Sequence, residues 1–432
     1  MTTVPDAATA VRRAYRESWR VVVAATARSV RDLDLAEDCA QEAFERALRS
    51  WPDGVPDNPA GWLTTTARRI ALDRLRRETS MRRKLPLLVE PPPGGGSDDD
   101  GSDDDGAPTD PLRLVFTCCH PALARESQVA LTLRLVCGLD VPSIAAVMLS
   151  GEAGVARRIT RAKHKIAAAR IPFRVPPDDE LPARLDTVLT VVHLAYTAGH
   201  AGAGERLADT DLTGRATGLA RMLVRLLPGE PGPRALLGLV LLTEARGGSR
   251  TDDGGDLVLL PDQDRAGWDR RLTAEGLAHT TAALRTGPPH GRFALQAAVA
   301  GLHAVAPTWA DTDWAQLART YDALLAVWPS PVVALNRAVV RGRLPDADPA
   351  AVLREIDGLA PGLAGYPYLP AARADLLARL GRSGEAAAAY GTALELTTNP
   401  TERRFLERRR SALVAASDPE VPEVPEVPGT TG

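Results

Sequence analysis

The chain has 432 residues, 44% of them apolar, enough for about two to four domains with buried cores. Lys and Arg total 52 against 55 Asp and Glu, a net charge of -3, so a uniformly basic coat is excluded and any anion-binding surface must be local. Four cysteines (Cys39, Cys118, Cys119, Cys137) exclude a disulfide framework in so long a chain and fit a reducing compartment. The opening MTTVPDAATAVRRAY has no signal-peptide apolar stretch and no run reaches membrane-span length, so the expected location is cytoplasmic, with no membrane partner.

Strand signals are scarce and helical periodicity dominates, which predicts an all-α fold. Residues 7 to 85 read as a helical domain. Its helix from Ala36 offers Asp38, Gln41, Glu42 and Glu45 beside Phe44, a polar strip with one aromatic anchor suited to docking on a partner helix. A turn-rich loop, Trp51 to Pro59, has the build to wrap an extruded base, although most such loops only connect. In the helix from Gly61, Leu63, Ala67, Ile70, Ala71 and Leu75 share one face, with Thr65, Arg69, Asp73 and Arg76 opposite. The basic residues Arg68, Arg69, Arg74, Arg76, Arg77, Arg82, Arg83 and Lys84 of this stretch face only Asp73 and Glu78.

Residues 86 to 110 form a Pro/Gly/Asp tract that cannot bury enough apolar surface to order itself, and are expected to be a flexible acidic linker. A small domain follows over 111 to 170. Cys118-Cys119-His120 has no zinc spacing, and buried thiols are expected, with no metal site. A support helix through Leu131 to Val136 should end at Gly138. A short helix over Val141 to Leu149, a turn at Ser150-Gly151 and a basic helix complete a helix-turn-helix pattern. In that last helix Val155, Ile159, Ala162 and Ile166 face a core, while Arg157, Arg158, Arg161, His164 and Lys165 face outward. Arg157, Arg158 and Arg161 are best placed to reach bases or phosphates, with Lys165 further along the same face.

The prolines of Ile171 to Pro177 stop this helix. Residues 181 to 416 are a long helical series in which Leu369 to Leu396 carries the small and large residues of a tetratricopeptide unit (Ala374, Leu377, Leu380-Gly381, Ala386, Tyr390, Ala393-Leu394), with a weaker partner over Thr312 to Val340; an irregular bundle is the alternative. Such a region suits a protein partner. His193, His200, His279 and His303 fall in helices, where packing roles are expected, and Asp252 to Asp256 should be a surface turn without a calcium-loop pattern. Residues 417 to 432, with the run PEVPEVPEVPG, should be disordered.

The order of DCAQEAF (Asp38 to Phe44), the helix Trp62 to Arg77 and the basic helix-turn-helix resembles the extracytoplasmic function sigma factors of the sigma-70 family over about residues 7 to 170. FTCCHPAL (Phe116 to Leu123), ITRAKHKI (Ile159 to Ile166) and IPFRVP (Ile171 to Pro176) are similar to a subgroup with a C-terminal helical-repeat extension. The resemblance implies that Asp38, Gln41, Glu42 and Phe44 bind the RNA polymerase core enzyme, that Trp62, Thr65, Arg69, Asp73 and Arg76 belong to the surface reading the minus-10 element, and that Arg157, Arg158, Arg161 and Lys165 read the minus-35 element of promoter DNA. It also implies a binding and specificity subunit, not an enzyme and without a cofactor. The family usually has Arg-Asn where this chain has Arg68-Arg69, and often Val-Pro and Thr near Ser150, Gly151 and Gly154, so promoter preference does not transfer. A DNA-binding regulator outside the sigma family, or a helical-repeat scaffold, is the alternative. Neither accounts for both basic modules. No Gly-rich phosphate loop supports an enzyme.

Overall fold

A computed structural model of the chain describes residues 7–84, 110–148, 150–201 and 210–417. Among these the protein is all-α, with eighteen α-helices and a single isolated bridge, Thr251 to Leu257, as its only β pairing. The expected linker over 86–110, except Asp110, and the tail from residue 418 lie outside the described residues. The described chain divides into two compact units, one taking residues up to 203 together with 208–233, the other taking 204–207 and everything from 234.

In the first unit α1 (Ala7–Val30), α2 (Leu33–Ser50) and α3 (Pro59–Lys84) pack around Trp19, Val22, Val23, Phe44 and Leu63. Helix α2 starts three residues earlier than the apolar pattern suggests, because the Asp32 carboxylate accepts hydrogen bonds from the Asp34 and Leu35 amides at 2.8 and 3.0 Å. Helix α3 likewise begins at Pro59, whose missing N–H costs nothing in a first turn, while Asn58 accepts from the Gly61 amide at 3.0 Å.

Helices α4 (Asp110–Cys118), α5 (Arg125–Leu135), α6 (Val141–Val147) and α7 (Glu152–Ala168) follow. Val155, Ile159, Ala162 and Ile166 of α7 are all buried, as their spacing predicts. Gly138 ends the turn after α5 at φ +70°, and a Cβ there would stand 2.8 Å from Cδ1 of Trp19. Both the backbone and the space therefore require glycine. The four cysteines are free and buried, and burial pushes Cys119 up to about 12 and Cys137 to about 11, consistent with packing thiols.

The units divide well beyond the expected domain boundary at residue 181. Helices α8 (Leu181–Ala201) and α9 (Thr210–Leu226) belong with the first unit, where α8 packs on α4 and α5. Arg184 of α8 donates to the Phe116 carbonyl at 2.8 Å, and Arg215 of α9 donates to the Cys137 carbonyl while lying over the Tyr15 ring at 5.8 Å.

From α10 (Pro231–Glu244), whose C-terminal part enters the second unit, the chain runs through an irregular stretch into α11 (Arg270–Leu284), α12 (Arg292–Val305), α13 (Trp314–Val327), α14 (Pro331–Arg341), α15 (Pro349–Gly358), α16 (Tyr368–Arg379), α17 (Ser383–Leu396) and α18 (Pro400–Ser417). Each helix from α11 onward packs on the next. The α16–α17 pair buries Ala374, Leu377, Ala386, Tyr390, Ala393 and Leu394, and Gly381 turns between the two helices at φ +72°. The Asp252 to Asp256 segment is an exposed turn whose Asp256 pairs with Arg404 and Arg408 of α18.

Candidate functional site

Three surfaces carry the sequence-predicted residues, all in the first unit. On α2, Asp38 and Glu45 are exposed, and Gln41 and Glu42 are half-buried. Phe44 corrects the expectation of an aromatic anchor on this strip: it is 5% exposed, with its ring 5.1 Å from Tyr15 and 5.9 Å from Trp19. The reason is angular. Phe44 stands four residues after Ala40 and three before Ala47, both fully buried, so it belongs to the inner face. The apolar group that does reach the surface is Leu48, 49% exposed, in line with Asp38, Gln41 and Glu45 at helical spacing. Sequence inspection missed it, although the same spacing marks it.

Glu42 is held inside the unit. It accepts from Arg46 at 2.7 Å and from Arg74 of α3 at 2.6 Å. Burial alone would raise its pKa, but these two guanidinium groups hold it below the usual carboxylate range.

On α3, Thr65, Arg69, Asp73 and Arg76 are exposed on one side, with Trp62 half-buried at its start and Leu72 also exposed. Trp62 meets the buried Trp51 ring edge-on at 5.8 Å, which fixes the loop between α2 and α3 against the helix. Of the expected inner face, Leu63, Ala67, Ile70 and Ala71 are buried and Leu75 is half-buried. On α7, Arg157, Arg161 and Lys165 are exposed, while Arg158 is half-buried and reaches the Ser150 hydroxyl at 3.4 Å.

The structure adds a feature that sequence inspection passed over. Lys163 of α7, 8% exposed, donates to Glu37 at 2.6 Å and to Asp34 at 2.7 Å, both on α2. Glu37, 4% exposed, also accepts from Arg134 of α5. Burial alone would lower the Lys163 pKa, but the two carboxylates outweigh it and hold the ammonium above its ordinary value. Further ties join α1 to α4 and to the turn after α5: Arg28 to Asp110 at 3.2 Å, the Tyr15 hydroxyl to the Gly138 carbonyl at 3.1 Å, and Trp19 packed against Gly138. The inward placement of each partner was marked in the sequence, though not their pairing. Lys163 lies one turn after Ile159 on the inward edge of α7, and Glu37 is flanked by Ala36 and Cys39 on the inward face of α2. A groove of about 880 Å³ opens beside this contact, lined by Arg28, Arg31, Arg113, Arg170 and Arg174 together with Asp32.

Among the described residues no group of His, Cys, Asp and Glu is placed to hold a metal ion, and no helix is long and apolar enough to cross a membrane.

Comparison with known proteins bears on these surfaces. The sigma-70 region 2 family matches residues 14–81, which contain α2 and nearly all of α3, and a family of unknown function (DUF6596) matches residues 184–284. An uncharacterized protein of Rhizobium meliloti (R00370) is 40% identical over 393 residues, covering 90% of this chain and 92% of its own. A probable ECF RNA polymerase sigma factor of Mycobacterium tuberculosis, SigI, is 31% identical over 170 residues, 39% of this chain and 58% of its own. No solved structure matches the chain. The region 2 match over the very helices that carry the exposed strips, with the sigma-factor relative beside it, shows that this chain belongs to the sigma-70 family as an ECF-like sigma factor with a C-terminal helical extension.

Proposed function

We propose that the protein directs the RNA polymerase core enzyme to specific promoters, with α2 docking on the polymerase, the exposed side of α3 and its preceding loop reading the minus-10 element, and α7 reading the minus-35 element through Arg157, Arg161 and Lys165. The observation that carries this is the coincidence of the region 2 match with the exposed stripe Asp38, Gln41, Glu45 and Leu48 and the basic face of α3. In this assignment Leu48 replaces Phe44 as the apolar anchor, and Glu42 orients Arg46 and Arg74 more than it meets a partner. Arg158, half-buried at Ser150, steadies the start of α7, and the exposed arginines Arg157 and Arg161 reach DNA. No cofactor or reaction of its own is needed.

The Lys163 contact gives the proposal a mechanistic consequence. The two promoter elements stand about 25 base pairs apart, roughly 85 Å along B-DNA. Helix α7 is tied within hydrogen-bond distance of α2 by Lys163, Glu37 and Asp34, so reading both elements requires this contact to part. The arrangement is then that of the free protein, and the polymerase and the promoter supply the free energy that opens it. The helices beyond α10, tetratricopeptide-like at α16–α17, suit a protein partner that biases this opening.

Run-off transcription with purified core polymerase, with and without this protein, tests the proposal. The expected result is a discrete initiated transcript only in its presence. Tight DNA binding with no effect on initiation would instead favour a regulator outside the sigma family.

A further inference from the structure

The groove beside the Lys163 contact lies wholly within the first unit, and neither the α2 strip nor the proposed DNA-reading faces use it. Its walls come from the end of α1, the turn into α2, α4, α7 and the stretch after α7. Three of its guanidinium groups, those of Arg31, Arg170 and Arg174, are exposed and make no hydrogen bond or ion pair among the described residues. The two carboxylates on the walls are engaged: Asp32 caps α2 through the Asp34 and Leu35 amides, and Asp34 holds Lys163. The charge left to meet a ligand is therefore positive.

Two of these arginines also sit on unusual backbone. Arg31 (φ +54°) and Arg170 (φ +50°) are the only non-glycine residues of positive φ among the described residues, each within two residues of a helix end, where glycine is the ordinary choice. Arginine at two such points of one groove indicates a use for the side chain. Arg174 follows a tight turn in which its amide donates to the Pro172 carbonyl at 3.1 Å. The Ile171 to Pro176 motif, which promoter reading leaves unused, thus forms part of the groove wall.

The chain itself supplies a matching anion. It enters α4 at Asp110, whose buried carboxylate stands 3.2 Å from Arg28 and 3.3 Å from Arg113, both groove residues. Before Asp110, outside the described residues, the sequence carries Asp98 to Asp100 and Asp103 to Asp105. No lysine or arginine stands between Lys84 and Asp110, so these carboxylates have no cation of their own. Asp105 is five residues from Asp110 and Asp98 is twelve, which limits them to roughly 17 and 40 Å from that point even at full extension. So short a tether keeps both runs at about millimolar effective concentration near the groove.

We propose that the acidic stretch Asp98 to Asp105 is the ligand of this groove in the free protein, its carboxylates meeting Arg31, Arg170 and Arg174. Guanidinium and carboxylate pair through parallel hydrogen bonds, and three such groups around one concavity suit a short run of aspartates better than a single small anion. The occupant spans the turn between α1 and α2 and the end of α7, so it adds to the Lys163 contact between α2 and α7. None of this depends on which partner α2, α3 and α7 meet.

Phenylglyoxal labelling of arginines, read by mass spectrometry, tests it on the full-length protein and on a variant with Asp98, Asp99, Asp100, Asp103, Asp104 and Asp105 changed to Asn. At low salt Arg31, Arg170 and Arg174 should react about threefold or more slowly in the native protein, a difference that vanishes at about 1 M salt, while Arg157 and Arg161 react alike in both. Conversely, Arg170→Glu with Arg174→Glu, both at exposed positions, should speed cleavage of the acidic stretch by Asp-N protease about threefold or more. Equal labelling of the three groove arginines in the two proteins, or unchanged cleavage in the folded groove variant, would overturn the inference. A change of the same size at Arg157 and Arg161 would do so too, because the aspartates would then act only as a general field. If duplex DNA protects the three arginines and the aspartates do not, the groove is a nucleic-acid surface and the inference fails. The labelling comparison alters no described residue, so it decides the matter even where a groove variant does not fold.

Discussion

Single residues decide more here than their type suggests. Gly138 is one case. Its positive φ alone disfavours any other residue by about 1–2 kcal/mol, and Trp19 leaves no room for a Cβ. Gly138→Ala should therefore lower the stability of the first unit by at least that amount, read as a fall in the urea midpoint with unchanged slope. His303 is another. Because its pKa is depressed when folded, the unfolded chain binds the proton first as pH falls. Its contribution is complete above about pH 6.5 and is lost as pH drops toward 4. The groups facing it are the Trp309 and Trp314 rings and the charges of Arg265 and Arg246. Thermal melts across that window should show falling stability, and His303→Gln should make the fall shallower. An identical slope in the variant would show that other groups set the acid sensitivity.

At the scale of the helix, the spacing of exposed side chains matters more than the local motif. In the proposed assignment the strip on α2 acts through Gln41, Glu45 and Leu48, since Phe44 is committed to Tyr15 and Trp19. Gln41→Ala with Leu48→Ala should weaken core-polymerase binding by about 1–2 kcal/mol and leave helicity intact. Phe44→Ala, by contrast, should cost about 3 kcal/mol or more of stability by opening a cavity. Pull-down with core enzyme, alongside circular dichroism, separates the two effects. For the α2–α7 contact, Lys163→Met removes one partner of a buried pair and should destabilise the free protein by about 3 kcal/mol. It should also raise affinity for core polymerase, since less work is then needed to part the helices. A drop in affinity would mean that the contact persists in the bound state.

Over the whole molecule, the two compact units do not coincide with the expected three-domain order. Helices α8 and α9 supply core to the first unit through Val188, Leu189, Ala216 and Leu219, and Arg184 and Arg215 fasten them to carbonyls of the preceding helices. Truncation after Pro177 would strip that cover from α4 and α5. The shortened protein should melt at a clearly lower temperature than one ending after Glu230, which keeps α1 to α9. Equal melting of the two would show that α8 and α9 add nothing to the first unit. Changes in transcription on removing residues 181–416 would thus mix lost stability with lost regulation, and the longer truncation isolates the second.

The sequence by itself determined the all-α class, the positions of α5, α6 and α7, the inward face of α7 and the α16–α17 pair, because each depends on helical periodicity, glycine turns and proline stops that are local in the chain. Family membership was legible for the same reason, since it rests on contiguous motifs within residues 14–81. Only the tertiary structure decided which side of α2 holds Phe44, that Lys163 lies against Glu37 from 126 residues away, and that α8 and α9 join the first unit. A buried pair between distant helices leaves no regular spacing in the sequence. Whether a lysine faces water or a carboxylate is set by what packs against it.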